Sequence, residues 1–211
     1  MSENDVKQKV TTGAFWSLLE QLGAKCTALI IEIVLARILM PEDYGIVALA
    51  AVFITIANTI TNDGLSLALV QKQEADDVDF STCFYLNLAV SLAMYFAIFF
   101  SAPYIASFYD SPMLSDVLRV LGVSLPVSSV NSIQRAFATR HMMFRRFFVS
   151  STIGYICSGI VGISMAYMGC GVWSLAAQTI LSALFDTLIL WFTVKWRPIA
   201  AFSLRRLYSL W

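Results

Sequence analysis

The sequence predicts an all-α, polytopic membrane protein built as a six-transmembrane-helix bundle. The chain of 211 residues is 58% apolar and only 13% charged, with a mean hydropathy of +0.73. Soluble domains run near 45–50% apolar and about 25% charged. The apolar residues fall in runs close to the roughly 20 that a helix needs to cross about 30 Å of hydrocarbon. The basic residues, in turn, alternate between the connections joining those runs. The formal net charge is zero, so nothing in the overall charge points to a nucleic-acid partner.

Six runs meet or approach the required length: Phe15–Ile38, Tyr44–Asn62, Cys83–Phe108, Met113–Ile133, Phe147–Met168 and Gly171–Val194. Residues 1–12 are polar and precede a long, charge-bearing run rather than the short uncharged core of a cleavable signal. The first helix is therefore expected to stay as an anchor, although it carries Glu20, Lys25 and Glu32. Between the first two helices, Pro41 suits a first helical position, where its missing N–H would be unpaired anyway. Glu42 and Asp43 follow in the first turn, where the helix dipole favours negative charge, and Gly45 comes one step inside. The second, third, fifth and sixth runs are clear. The fourth is weakest, with Pro126 and a second half rich in serine and asparagine.

Orientation follows from Lys and Arg alone. With the N-terminus inside, Lys7, Lys9, Lys72, Arg135, Arg140, Arg145, Arg146, Lys195, Arg197, Arg205 and Arg206 are cytoplasmic, 11 of the 14 basic residues. Arg37 alone lies at an outer connection, and Lys25 and Arg119 fall within spans. This asymmetry needs the fourth span. The organisation expected is a cytoplasmic segment at 1–12, a membrane lobe at 13–194 and a cytoplasmic linker at 195–211. The longest connection, Asp63 to about Thr82, holds Glu74, Asp76, Asp77 and Asp79, which read as a solvated loop face because the EF-hand ligand pattern is absent.

Charges within spans are the informative exceptions, since each costs about 2.5–3.5 kcal/mol at a helix centre on the insertion scale. At 100° per residue, Gln21, Lys25, Ala28 and Glu32 share one stripe, with Glu20 beside it. This seam either lines a water-filled substrate or ion path or pairs with neighbouring helices to hold the bundle. Asp186 lies eight residues from the inner end of the last span, about 12 Å deep at 1.5 Å per residue. Lys25 reaches a comparable depth and is a candidate partner. Asn87 and Gln178 read as interhelical hydrogen-bonding residues. The rows Gly154, Ser158, Gly162, Ala166 and Ala89, Ala93, Ala97, Ser101 read as close-packing surfaces. Arg135, Arg140, Arg145 and Arg146 either grip a pyrophosphate headgroup or set topology while touching anionic lipid.

No cofactor or metal is expected. Cys26, Cys83, Cys157 and Cys170 are scattered, no C-x-x-C pair occurs, and His141 sits alone among arginines, so zinc-type spacing is missing.

The first hairpin, Leu35-Ala36-Arg37-Ile38-Leu39-Met40-Pro41-Glu42-Asp43-Tyr44-Gly45, resembles the signature of polysaccharide exporters. That superfamily also holds multidrug extruders, lipid II flippases and O-antigen (Wzx-type) flippases. Further matches follow in order: Gly13 to Ser17, Gly64 to Lys72, Ser101 to Tyr109 and Gly171 to Leu175. The motifs resemble those of the colanic-acid exporter branch in particular. Met40 departs from the Gly or Ser that relatives often carry there. The resemblance implies the N-terminal lobe of a two-lobe, alternating-access exporter, whose cargo is an oligosaccharide on a polyprenyl diphosphate. Its partners would be membrane lipids, that cargo and a C-terminal lobe; the chain would be a fragment, a truncated reading frame or half of an assembly. The function expected is flipping of lipid-linked oligosaccharide across the bacterial inner membrane, without covalent chemistry. An ion-coupled drug exporter of the same superfamily is the alternative. A membrane-embedded polymerase or ligase fits less well, because the outer connections are only a few residues long.

Overall fold

The computed structural model describes residues 22–23, 25–71, 76–140, 143–194 and 196–199, with side chains for all of these except 63–71 and 144–145. Helix α1 is described over 25–38. It is followed by α2 (Pro41–Gln71), α3 (Asp77–Phe108), α4 (Pro112–Gly122), α5 (Ser124–Arg140), α6 (Phe144–Tyr167) and α7 (Val172–Thr193). No strand occurs among the described residues. Among the described residues, five stretches are long and apolar enough to cross a membrane: Pro41–Asn62, Asp77–Phe108, Pro112–Arg140, Arg146–Tyr167 and Val172–Thr193. The chain is thus an all-α, multi-pass membrane protein. The N-terminal part of the expected first span, with Glu20 and Gln21, lies outside the described residues.

The α1–α2 hairpin follows the expected chemistry. Pro41 opens α2, and the Met40 N–H donates to Asp43 Oδ2 at 3.2 Å, so an acid in the first turn satisfies an otherwise orphaned amide. Across the bundle end, Gly171 holds φ at +53°, and a Cβ there would sit 3.1 Å from Asp43 Oδ1. The α6–α7 turn therefore needs glycine both for its backbone and for its approach to the first hairpin.

Three expectations are corrected here. The connection after the second span is not a loop from Asp63 to Thr82, because α2 continues to Gln71 and α3 already begins at Asp77. The acids there are not simply a solvated face. Asp76 caps α3, its N–H donates to Asp79 Oδ2 at 3.2 Å, and Asp79 is buried; carboxylates are favoured at that positive helix end. The fourth span is one crossing made of two helices. Pro126 has no N–H, and its ring excludes the carbonyl four residues back, that of Gly122, so the helix breaks at Val123.

The glycines of α6 mark where it packs closely. Among α2 to α7, the pairing of α6 with α7 is the most extensive. A Cβ on Gly154 would lie 3.3 Å from Asp186 N and Ser182 O, and one on Gly162 would lie 2.9 Å from Gln178 Cβ. Gly159 faces the other way, toward Ile31 of α1, so α6 is clasped on two sides. The α6 row is a close-packing surface as expected. The row Ala89, Ala93, Ala97, Ser101 is not: all four residues are exposed on the outside of α3. Small residues permit close approach but do not compel it, and lipid accepts alanine well. Asn87 does bridge helices, donating to Asn62 Oδ1 at 3.2 Å and Ser132 Oγ at 2.9 Å. Gln178 instead covers Gly162 with its aliphatic stem.

At the opposite end from the hairpin turns, the segment after α7 folds back on the bundle. Trp196 is stacked on Phe137 with ring centroids 5.8 Å apart, and its Nε1–H donates to Asp77 Oδ1 at 3.2 Å. The Ile199 N–H donates to Ser81 Oγ at 2.9 Å. This fastens the ends of α3, α5 and α7 together.

Candidate functional site

Four helices turn polar faces toward one cavity of about 380 Å³. From α5 come Ser124, Ser128, Asn131 and Arg135, at i, i+4, i+7 and i+11, one stripe of a helix. From α7 come Thr179, Ser182 and Asp186; α2 adds Thr55 and Asn58, and α6 adds Ser151 and Tyr155. The α4–α5 break opens onto the same space through Leu121 and Ser124. Interrupted helices inside membranes are tolerated where they line a cavity, because the freed backbone groups then find polar company. Ser124 Oγ donates to the Leu121 carbonyl at 2.6 Å, which is one such repair.

Asp186 is the hub. Its Oδ2 accepts from Asn131 Nδ2 at 2.6 Å and from an Arg135 guanidinium nitrogen at 3.1 Å. Its Oδ1 accepts from Ser150 Oγ at 2.6 Å and from Ser151 Oγ at 3.5 Å. Arg135 also donates to Ser151 Oγ at 2.8 Å and lies over the Phe147 ring, 5.3 Å from its centroid. One carboxylate therefore ties α5, α6 and α7 together. A carboxylate and a guanidinium at this separation neutralise one another, so the charge cost of placing each in a membrane span is shared.

The expected site residues separate. Asp186 is in the cavity, but its cationic partner is Arg135, which α5 brings against α7, rather than Lys25. Lys25 and Glu32 are both exposed on α1 and are not among the cavity-lining residues. Tyr44 Oη donates to the backbone carbonyl of Glu32 at 3.3 Å rather than to its carboxylate. Two members of the arginine cluster, Arg135 and Arg146, point to different surroundings. Arg135 turns into the cavity, while Arg146 donates to the Thr193 carbonyl at 2.5 Å and so caps the end of α7. Arg140 is also engaged, and the Arg145 side chain lies outside the described residues. Sequence reasoning missed Ser124, Ser128 and Asn131 as lining residues. Their helical spacing was the signal, hidden because polar content in that run reads as a weak span.

A family model for polysaccharide biosynthesis proteins matches residues 34–211. The chain belongs to that family. It is 31% identical to the succinoglycan biosynthesis transport protein ExoT of Rhizobium meliloti (strain 1021), over 95% of this chain and 41% of the relative. It is 22% identical to the lipopolysaccharide biosynthesis protein WzxC of Escherichia coli (strain K12), over 87% of this chain and 37% of the relative. It is 19% identical to the teichuronic acid biosynthesis protein TuaB of Bacillus subtilis (strain 168), over 95% and 42%. The chain thus spans about two fifths of the length of these relatives. No solved structure matches it. In this polysaccharide biosynthesis family member, the cavity around Asp186 is a polar site held within membrane-length helices.

Proposed function

We propose that this chain is the N-terminal lobe of a transporter that flips polyprenyl-diphosphate-linked oligosaccharide across the bacterial inner membrane, with both of its ends cytoplasmic. The observation that carries this reading is the hydroxyl- and amide-lined cavity between α2, α5, α6 and α7, inside the membrane span. A saccharide presents hydroxyl donors and acceptors, and Ser, Thr, Asn and Tyr side chains answer both. The half-exposed Arg135 guanidinium gives that wall one cation suited to a phosphate oxygen, since its planar fork matches such oxygens bidentately. Lys25 and Glu32 would continue the hydrophilic path along α1. The residues named hold and release a cargo; no bond of the substrate is made or broken. Alternating access needs a second lobe to rock against this one.

The test is complementation of a flippase-null strain by this lobe joined to a C-terminal lobe, scored for surface polysaccharide with protein abundance measured in parallel. Arg135→Ala and Asp186→Ala should each lower export at least tenfold at normal abundance. Full export by both variants at normal abundance would remove the cavity from the transport path.

A further inference from the structure

Arg37 differs from Arg119, Arg135, Arg140, Arg146 and Arg197, each of which is engaged with a partner. It lies at the end of α1, at the bundle end that carries the α1–α2, α3–α4 and α6–α7 turns, and it is exposed. The acids Glu42, Asp43, Asp110 and Asp116 lie on the helices and turns toward that same end, yet Arg37 forms an ion pair or hydrogen bond with none of the described residues. Asp43 is occupied by the Met40 amide, and Asp116 pairs with Arg119 at 3.8 Å. Helix geometry explains the separation. At 100° per residue, Arg37 is on the flank of α1 opposite Glu32 and away from α2.

That flank is a groove of about 500 Å³ between α1 and the end of α6, lined by Ile30, Ile33, Val34, Arg37, Ile38 and Tyr167. Ile30 to Arg37 spans about 10 Å along the helix axis, against about 15 Å for half the hydrocarbon thickness. The wall is aliphatic along its length and bears a guanidinium and a phenol, both exposed, at the headgroup end. Tyrosine is itself suited to that level. This is the charge pattern of a phospholipid in mirror image: acyl chain along the isoleucines and valine, phosphate at the arginine. Zwitterionic lipids carry a cation that a neighbouring guanidinium opposes, whereas anionic headgroups do not.

We propose that the α1–α6 groove is a binding site for an anionic phospholipid of the leaflet next to the hairpin turns, with Arg37 holding its phosphate and Ile30, Ile33 and Val34 its chain. The site faces outward from the bundle, on a different flank from the cavity around Asp186, and does not depend on the transport reading.

The experiment reconstitutes the chain in bilayer nanodiscs of equimolar phosphatidylglycerol and phosphatidylcholine. Lipid retained on the protein is then counted by native mass spectrometry after release. Wild-type protein should keep phosphatidylglycerol in preference to phosphatidylcholine. Arg37→Gln should reduce that preference about fivefold, the scale of one basic side chain near a membrane surface. Ile33→Trp, which fills the groove and keeps the charge, should reduce total retained lipid. Arg119→Gln, a cation on another face, should leave the preference unchanged. Equal retention of both lipids by wild type, or an undiminished preference in Arg37→Gln, overturns the proposal. So does displacement of phosphatidylglycerol by equimolar polyprenyl phosphate, which would make the groove a carrier-lipid site, and so does retention of a second protein copy there instead of lipid.

Discussion

Breaking the Asp186 hub one member at a time should give unequal losses. Asp186→Ala removes the acceptor shared by Arg135, Asn131 and Ser150, so three donors lose a bond at once, while Arg135 keeps Ser151 and Ser150 keeps the Phe147 carbonyl. Arg135→Ala leaves Asp186 with its two 2.6 Å hydrogen bonds from Asn131 and Ser150. Hydrogen bonds to charged groups contribute about 1.5–3 kcal/mol each, and a buried partner left alone costs more. The expected losses are about 3–5 kcal/mol for Asp186→Ala and about 2–3 kcal/mol for Arg135→Ala. Exposed pairs couple by at most about 1 kcal/mol, while breaking a fully buried pair costs about 3–5 kcal/mol. With side chains 15% exposed for Asp186 and 38% for Arg135, this pair sits between those limits. A coupling of about 2 kcal/mol is therefore expected from the double-mutant cycle. The assay is reversible unfolding in mixed micelles, titrated with sodium dodecyl sulfate and followed by helical circular dichroism. A coupling below about 0.5 kcal/mol, or a larger loss for Arg135→Ala than for Asp186→Ala, would refute the assignment of Asp186 as the hub.

The same unfolding assay separates two glycines. Gly154→Ala places a methyl 3.3 Å from backbone atoms of α7 that cannot step aside, and should cost about 1–2 kcal/mol; Gly45→Ala meets nothing within 4 Å and should be neutral or gain up to about 1 kcal/mol. With the native cysteines replaced, Lys25→Cys and Glu32→Cys should react with a membrane-impermeant thiol reagent from at least one side, while Ile31→Cys, only 6% exposed, stays protected; equal protection at all three would reduce the α1 seam to a structural feature. A reporter active only outside the cytoplasm should be silent when fused after Lys72, His141 or Arg206 and active after Asp110 or Gly169, and activity at His141 would overturn the proposed orientation.

Composition and apolar run length were enough to read the class of fold, because lipid leaves a chain few alternatives. A span must satisfy every backbone group internally, so an apolar run of the right length is a helix. The hairpin chemistry at Pro41 and Asp43 was legible for the same reason: it is local. What was not legible is pairing. The sequence shows Asp186 and Lys25 at matching depths, but depth does not decide which helix is adjacent, and Arg135 reaches in from a position read as cytoplasmic. The two small-residue rows looked alike, yet only the α6 row packs, because what lies opposite decides. The α5 stripe escaped notice, since a hydropathy reading treats Ser128 and Asn131 as defects in a span rather than as a face.

The cost of such a face argues for how it is used. Lipid cannot satisfy hydroxyls and amides, so the α5 stripe is tolerable only against water, protein or a polar cargo. Its groups are neutral except Arg135, whose charge the α7 carboxylate Asp186 offsets. The bundle thus keeps a polar wall in the membrane at little net electrostatic expense. On the proposed function that neutrality has a consequence. Sugar hydroxyls can enter without disturbing Asp186, whereas a phosphate reaching Arg135 must compete with a carboxylate 3.1 Å away. Taking Arg135 from Asp186 would loosen the tie between α5 and α7 while Ser150 and Asn131 still hold the acid. Headgroup binding would then act on the helix packing itself, at the α5–α7 contact next to the glycine-lined α6–α7 seam.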